Sequence, residues 1–218
     1  MKGTAETELA AALFFLLGEP VPHNPELEKQ ASVLKERSRD TKQALGKVLE
    51  LCGTPHTAQQ LYLCTKAYSW LGKQYATQAA QCAKAYLASD GWDALPSETR
   101  MENGIRIDGS VRNRAGVFLD LGNACAGMGD YEKACSAYEK AYELEPYCVM
   151  GAIEASNALI RMGRISEARD FLLLQKKNPY YKPRKFRGVR GDVQYDSFFR
   201  ESLDRQIERV GRLLKRKM

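Results

Sequence analysis

Ala115 to Cys148 reads AGVFLDLGNACAGMGDYEKACSAYEKAYELEPYC, and the spacing within it decides the fold. Small residues (Gly122, Ala134, Ala141) recur where two helix surfaces must approach closely. Larger ones (Phe118, Leu121, Tyr131, Tyr138) fill the space between them. Gly129-Asp130 makes the turn: glycine ends the first helix and aspartate caps the second. Pro146 stops the second helix, because its ring cannot continue the hydrogen-bond ladder. The stretch therefore predicts a tightly packed helix hairpin.

These residues resemble a tetratricopeptide repeat, whose signature is W-x2-L-G-x2-Y, then A-x3-F, then P. Phe118 stands where the pattern has Trp, Cys125 where it has Tyr, and Tyr138 where it has Phe. The resemblance implies an all-α fold, a right-handed α-solenoid of helix hairpins closed by a C-terminal capping helix. One hairpin cannot bury its own apolar face, so neighbours are a physical requirement. Residues 149–179 supply one in register. Ser156, Asn157 and Ala158 align with Gly122, Asn123 and Ala124; Gly163, Ile165 and Ala168 align with Gly129, Tyr131 and Ala134. Residues 58–90 read as a degenerate copy. Ala67, Tyr68 and Gly72 match, and Tyr75, Cys82 and Ala85 follow if the turn holds one extra residue.

Around these copies the chain divides into N-terminal helices (1–53), an array (54–179) interrupted by an insertion (91–113), and a basic linker with a capping helix (180–218). The first helix is expected over 4–17, ended by Gly18 to Pro22. A helical pattern then runs from Pro25 to Cys52, either continuous or broken near Ser38 to Thr41. Gly53 terminates it, Thr54 is the expected cap of the next helix and Pro55 its first residue. The insertion either carries function, as long loops often do, or packs over the surface on Trp92 and Leu95. The last helix is expected from Asp196 to Lys215. At 100° per residue, Phe199, Leu203, Ile207, Val210 and Leu214 share one arc, which should dock on the last repeat. Arg205, Arg209, Arg212 and Arg216 share another, which should form a solvent-facing basic ridge.

Composition narrows the classes. The chain has 218 residues, 44% hydrophobic and 28% charged, which fits a folded protein and excludes a disordered one. Its net charge of +6 sits at one end: residues 182–218 hold twelve Lys/Arg against five Asp/Glu. Cys52, Cys64, Cys82, Cys125, Cys135 and Cys148 include no C-x-x-C pair. They fall where small buried residues belong and read as reduced core thiols, which favours a cytoplasmic location. The run Leu9 to Leu17 is short of a membrane span and follows acidic rather than basic residues, so it reads as a buried helix.

A search for chemistry finds no phosphate loop, nucleophile elbow or paired metal-ligand motif. His23 and His56 each stand beside a proline, without partners at a defined spacing. Neither an enzyme nor a cofactor is expected. The resemblance instead implies a groove lined by the first helix of each repeat, which in this family commonly receives a peptide. The groove positions are Tyr62 and Lys66 in the degenerate copy, Leu119 and Asn123 in the next, and Ile153, Asn157 and Arg161 in the last. Asn123 and Asn157 occupy the same repeat position. A side-chain amide both donates and accepts, so such a pair could hold an extended backbone without reading its sequence. The competing reading is local hydrogen bonding within the array. Lys66, Asn123 and Asn157 echo only part of the family's carboxylate clamp, and apolar Leu119 and Ile153 argue against one.

The second candidate is basic. Lys182, Arg184, Lys185 and Arg187 are interleaved with Tyr180, Tyr181 and Phe186, and the arginine ridge follows. Cations among aromatics suit nucleic acid, and cations alone suit an anionic membrane surface. A solvated polar face on a capping helix is the plain alternative. The expected partner is a protein or peptide in the groove, with self-association open; nucleic acid or a membrane surface is the other class.

Overall fold

The structure is a computed structural model that describes residues 41–91, 95, 99–102, 104–187 and 193–217. The helix expected over 4–17 and the start of the following one lie outside the described residues. The chain forms two compact units, residues 1–96 and 97–218. The described elements are almost all helical, and the fold class is all-α.

In the first unit, α1 (Thr41–Cys52), α2 (Ala58–Leu71) and α3 (Ala76–Ala88) pack side by side. Gly53 ends α1 at φ 56, as its position suggests. The cap of α2, however, is Thr57 rather than Thr54. Thr57 Oγ1 accepts from the Gln60 amide at 3.2 Å, and Gln60 Oε1 accepts from the Thr57 amide at 3.2 Å. This reciprocal capping box needs Gln three residues after Thr, a spacing that Thr54 lacks. The second half of this copy is also shifted. Ala85, expected at the helix contact, is exposed, while Ala79, Ala83 and Tyr86 are buried. Their spacing reproduces that of Ala134, Tyr138 and Ala141, so the turn holds two extra residues rather than one. They are accommodated in a 3-10 turn, Lys73–Tyr75. Cys52, Cys64 and Cys82, one from each helix, are buried together as free thiols. The Cys52 thiol hydrogen-bonds to Cys64 and holds the Cys64 thiol up at about 12.

The second unit opens with a hairpin of β1 (Arg100–Glu102) and β2 (Ile105–Ile107), where the sequence suggested a loop. Asp108 then caps α4 (Gly109–Gly127): its Oδ1 accepts from the Ser110 amide at 3.0 Å. The Ser110 hydroxyl, which donates to the same oxygen, holds the Asp108 carboxyl below its usual range. Helix α4 therefore begins six residues before Ala115. Helices α5 (Tyr131–Leu144), α6 (Val149–Arg161) and α7 (Ile165–Gln175) complete two successive hairpins. Gly129 at φ 85 and Gly163 at φ 79 make equivalent turns. Asp130 caps α5 as its position suggests, Oδ1 accepting from the Lys133 amide at 3.2 Å. Arg164, in the equivalent place, cannot cap and pairs with Glu167 instead.

Two glycines set the closeness of the helices. A Cβ at Gly122 would lie 2.6 Å from Tyr138 Cδ1, so α4 and α5 approach to ring contact. A Cβ at Gly151 would lie 2.9 Å from the Tyr138 carbonyl, so α5 and α6 approach to backbone contact. One core runs through Cys125, Ala134, Tyr138, Val149, Ala155, Leu159, Ala168 and Leu172 into the last helix.

The stretch after α7 is not a linker. A 3-10 turn, Pro179–Tyr181, leads into β3 (Arg184–Arg187), which pairs antiparallel with β4 (Val193–Asp196). Helix α8 (Phe198–Lys217) follows, two residues later than expected at each end; Asp196 Oδ1 still accepts from its first amide, Phe198, at 3.1 Å. Phe199, Leu203 and Val210 are buried, and Ile207 and Leu214 pack on the same core, so the apolar arc docks as its periodicity requires. None of the described helices is long and apolar enough to cross a membrane.

Candidate interaction surface

In the second unit the first helices of the two hairpins are α4 and α6. Leu119 on α4 and Ile153 on α6 are half-buried, each resting on the core with one side open. Asn123 is exposed and Asn157 half-buried. The two asparagines share a repeat position but not a hydrogen-bonding arrangement.

Asn123 is tied inward. The Tyr138 hydroxyl donates to its Oδ1 at 2.8 Å, across the α4–α5 contact. That bond engages the carbonyl and makes no use of the Nδ2 donors. Burial, and then the field of Glu154, pushes the Tyr138 phenol upward, so it stays protonated as the donor. Asn157 has no such tie, because the residue equivalent to Tyr138 is Leu172. Its Oδ1 accepts instead from α8: from Gln206 Nε2 at 2.9 Å and from Arg209 Nη1 at 2.8 Å. Its Nδ2 donates to Glu154 Oε2 at 3.2 Å. Gln206 Nε2 also donates to the buried Ser156 hydroxyl at 2.9 Å.

The remaining groove positions separate. Arg161 is exposed, one turn beyond Asn157 on α6. Tyr62, expected to line the groove, is a core residue of the first unit, 3% exposed, with its ring 5.7 Å from that of Tyr86. Lys66 lies over the Tyr62 ring at 5.5 Å. Long aromatic side chains on a short hairpin have more to gain from burial than from lining a groove, and Tyr62 follows that preference.

The basic stretch is likewise built into the fold. Arg184 Nη2 pairs with Asp196 Oδ2 at 2.6 Å across the β3–β4 register, and its guanidinium lies 4.9 Å from the Tyr180 ring centre. Tyr180 packs edge-on against Tyr147 at 5.9 Å. The Tyr181 hydroxyl donates to Asp204 at 3.1 Å, and Lys176 pairs with the same carboxylate at 2.9 Å. Tyr180 and Tyr181 are thus tied to neighbouring elements rather than presented for base stacking. Lys182, Lys185 and Arg187 are exposed. So are Arg205, Arg209, Arg212 and Arg216, and the ridge is solvated as expected. Arg209 nevertheless reaches back to Asn157 on α6.

Two residues that hold this surface together escaped sequence reasoning. Gln206 is a polar residue between Leu203, Ile207 and Val210, and a lone amide amid an apolar arc is the signal that it has a buried partner. Asn178 joins the two repeats: its Nδ2 donates to the Tyr142 hydroxyl at 2.6 Å and to the Pro146 carbonyl at 2.9 Å.

The geometry defines an all-α pair of stacked helix hairpins with a capping helix. Residues 115–148, within the first of these hairpins, match the tetratricopeptide repeat family model. Among solved structures, the chain is similar to a crystal structure of MamA protein, with 18% identity, 72% of this chain and 72% of that chain covered, and a TM-score of 0.48. A second crystal structure of MamA gives 14% identity over 90% of this chain and 98% of that one, with a TM-score of 0.47. No curated protein matches the sequence. The tetratricopeptide repeat supports a protein-interaction or scaffold role.

Proposed function

We propose that the chain is a protein-interaction module that takes an extended segment of a partner along the inner faces of α4 and α6. The observation that carries this reading is Asn123. Its carbonyl is engaged by Tyr138 and the residue is exposed, which makes Nδ2 the donor for a partner's backbone carbonyl. Preorganisation of this kind lowers the entropy cost of binding. Leu119 and Ile153 add open apolar surface for alternate side chains of the partner. Asn157 contributes less as a direct ligand, since both ends of its amide are already engaged. Its work is to hold α8 against α6.

Selection of a random peptide library on the immobilised full chain tests the reading. Discrete peptides should be enriched. Asn123→Asp keeps the acceptor for Tyr138 but replaces the Nδ2 donor with an acceptor, and should weaken the selected peptides by about 10-fold. Selection of no peptide, or peptides indifferent to Asn123→Asp, would sink it.

A further inference from the structure

We infer that the partner segment is acidic, and that the arginine ridge of α8 reads its side-chain carboxylates; this rests on the proposed groove and specifies its ligand. Two rows of groups meet at one hydrogen bond. Asn157 on α6 accepts from Arg209 on α8. Arg205 precedes Arg209 by four residues, and Arg212 and Arg216 follow it by three and seven, so all four share one face of α8. Arg161 stands one turn from Asn157 on α6. Asn157, at the repeat position of Asn123, thus touches one of a run of guanidinium groups.

Most of these cations carry no counter-ion, although they stand close together on one helix face. Cations that link separate elements of the second unit are paired with carboxylates: Arg112 with Glu102, Lys176 with Asp204 and Arg184 with Asp196. On the ridge only Arg212 has a carboxylate, Glu208 at 3.9 Å. Among the described residues, Arg161, Arg205, Arg209 and Arg216 form no ion pair. Arg205 donates to the Glu201 carbonyl and Ser202 Oγ, and Arg209 uses only Nη1. Glu154, on α6 with Asn157, accepts from Asn157 Nδ2. Helix α8 carries seven Lys/Arg and three Asp/Glu. Like charges along one face repel, and an acidic segment lying beside them removes that cost while each fork binds a carboxylate in two-pronged geometry.

Nucleic acid would also satisfy the charge, but it gains from stacking surfaces, and Tyr180 and Tyr181 beside this face are packed against Tyr147, Arg184 and Asp204. A protein segment instead matches the neighbouring amide donor and apolar floor.

The test is fluorescence anisotropy on the full chain with three probes: a Glu-rich peptide amidated at its C-terminus, its Gln counterpart, and a uridine oligonucleotide of equal charge. The Glu-rich peptide should bind at least ~10-fold tighter than the Gln peptide, with the gap narrowing as salt rises. Arg205→Gln/Arg209→Gln/Arg212→Gln, all exposed positions, should erase that gap. Asn123→Ala should weaken both peptides alike. Amidation ensures that side-chain carboxylates, not a chain terminus, are being read. Equal affinity for the two peptides overturns the acidic ligand and leaves the groove reading standing. Preference for the oligonucleotide, or failure of both peptides to bind, overturns both.

Discussion

The hairpin of α4 and α5 and the hairpin of α6 and α7 follow one repeat pattern and yet handle the same asparagine in opposite ways. In the first, the contact between helices is a glycine against a tyrosine ring, and the tyrosine hydroxyl captures Asn123. In the second, the equivalent positions are Ser156 and Leu172, both buried. Leucine has no hydroxyl, so Asn157 is left available and α8 takes it. A repeat position fixes where an amide stands; the chemistry of its packing neighbour fixes what the amide can bind.

The sharpest way to break this contrast is to disturb the Gly122–Tyr138 contact. Gly122→Val puts two methyl groups into the ring's place and should destabilise the unit by about 3 kcal/mol in urea unfolding. Gly122→Ser alone should cost about 2 kcal/mol. Adding Tyr138→Leu installs the pair found in the second repeat, and the two changes should couple favourably by about 1 kcal/mol. If the double variant were no better than the sum of its parts, the two repeats would not differ by this exchange.

The capping helix gives the next effect. Gln206→Ala removes donors to Ser156 and Asn157 while leaving the apolar arc of α8 in place, and should cost about 2 kcal/mol. It should also release the ridge from α6, seen as faster amide exchange over Phe198–Lys217 than over α4. Unchanged exchange would show that apolar packing alone holds the helix there.

Much of this was legible in the chain. Gly122, Gly129, Asp130 and Pro146 each have a local reason to be where they are, and local reasons survive folding. The apolar arc of α8 was readable for the same reason. Other features were not. The Asn157–Arg209 bond joins residues 52 apart in sequence, and no periodicity encodes it. Arg184 reads as a free cation until Asp196, 12 residues on, is brought opposite it by the hairpin. In the first unit, the sequence pattern aligned Cys82 and Ala85 with one extra residue in the turn, and only the burial of Ala79, Ala83 and Tyr86 shows two.

The smallest effect concerns the tyrosine that distinguishes the repeats. Tyr138→Phe keeps the ring against Gly122 and removes only the hydroxyl. It should cost about 1 kcal/mol at neutral pH and free the Asn123 carbonyl. The pH dependence checks the cause. Burial raises the Tyr138 phenol above its ordinary value of 10.0, so the folded chain favours the neutral form. Its contribution is therefore complete below pH 10.0 and falls as pH rises past it toward the folded value. Alkaline unfolding should begin just above that point, and the fall should be shallower in Tyr138→Phe than in the wild type. Equal slopes would mean that the phenol is hydrated, and that Asn123 is as free as its partner in the second repeat would be without α8.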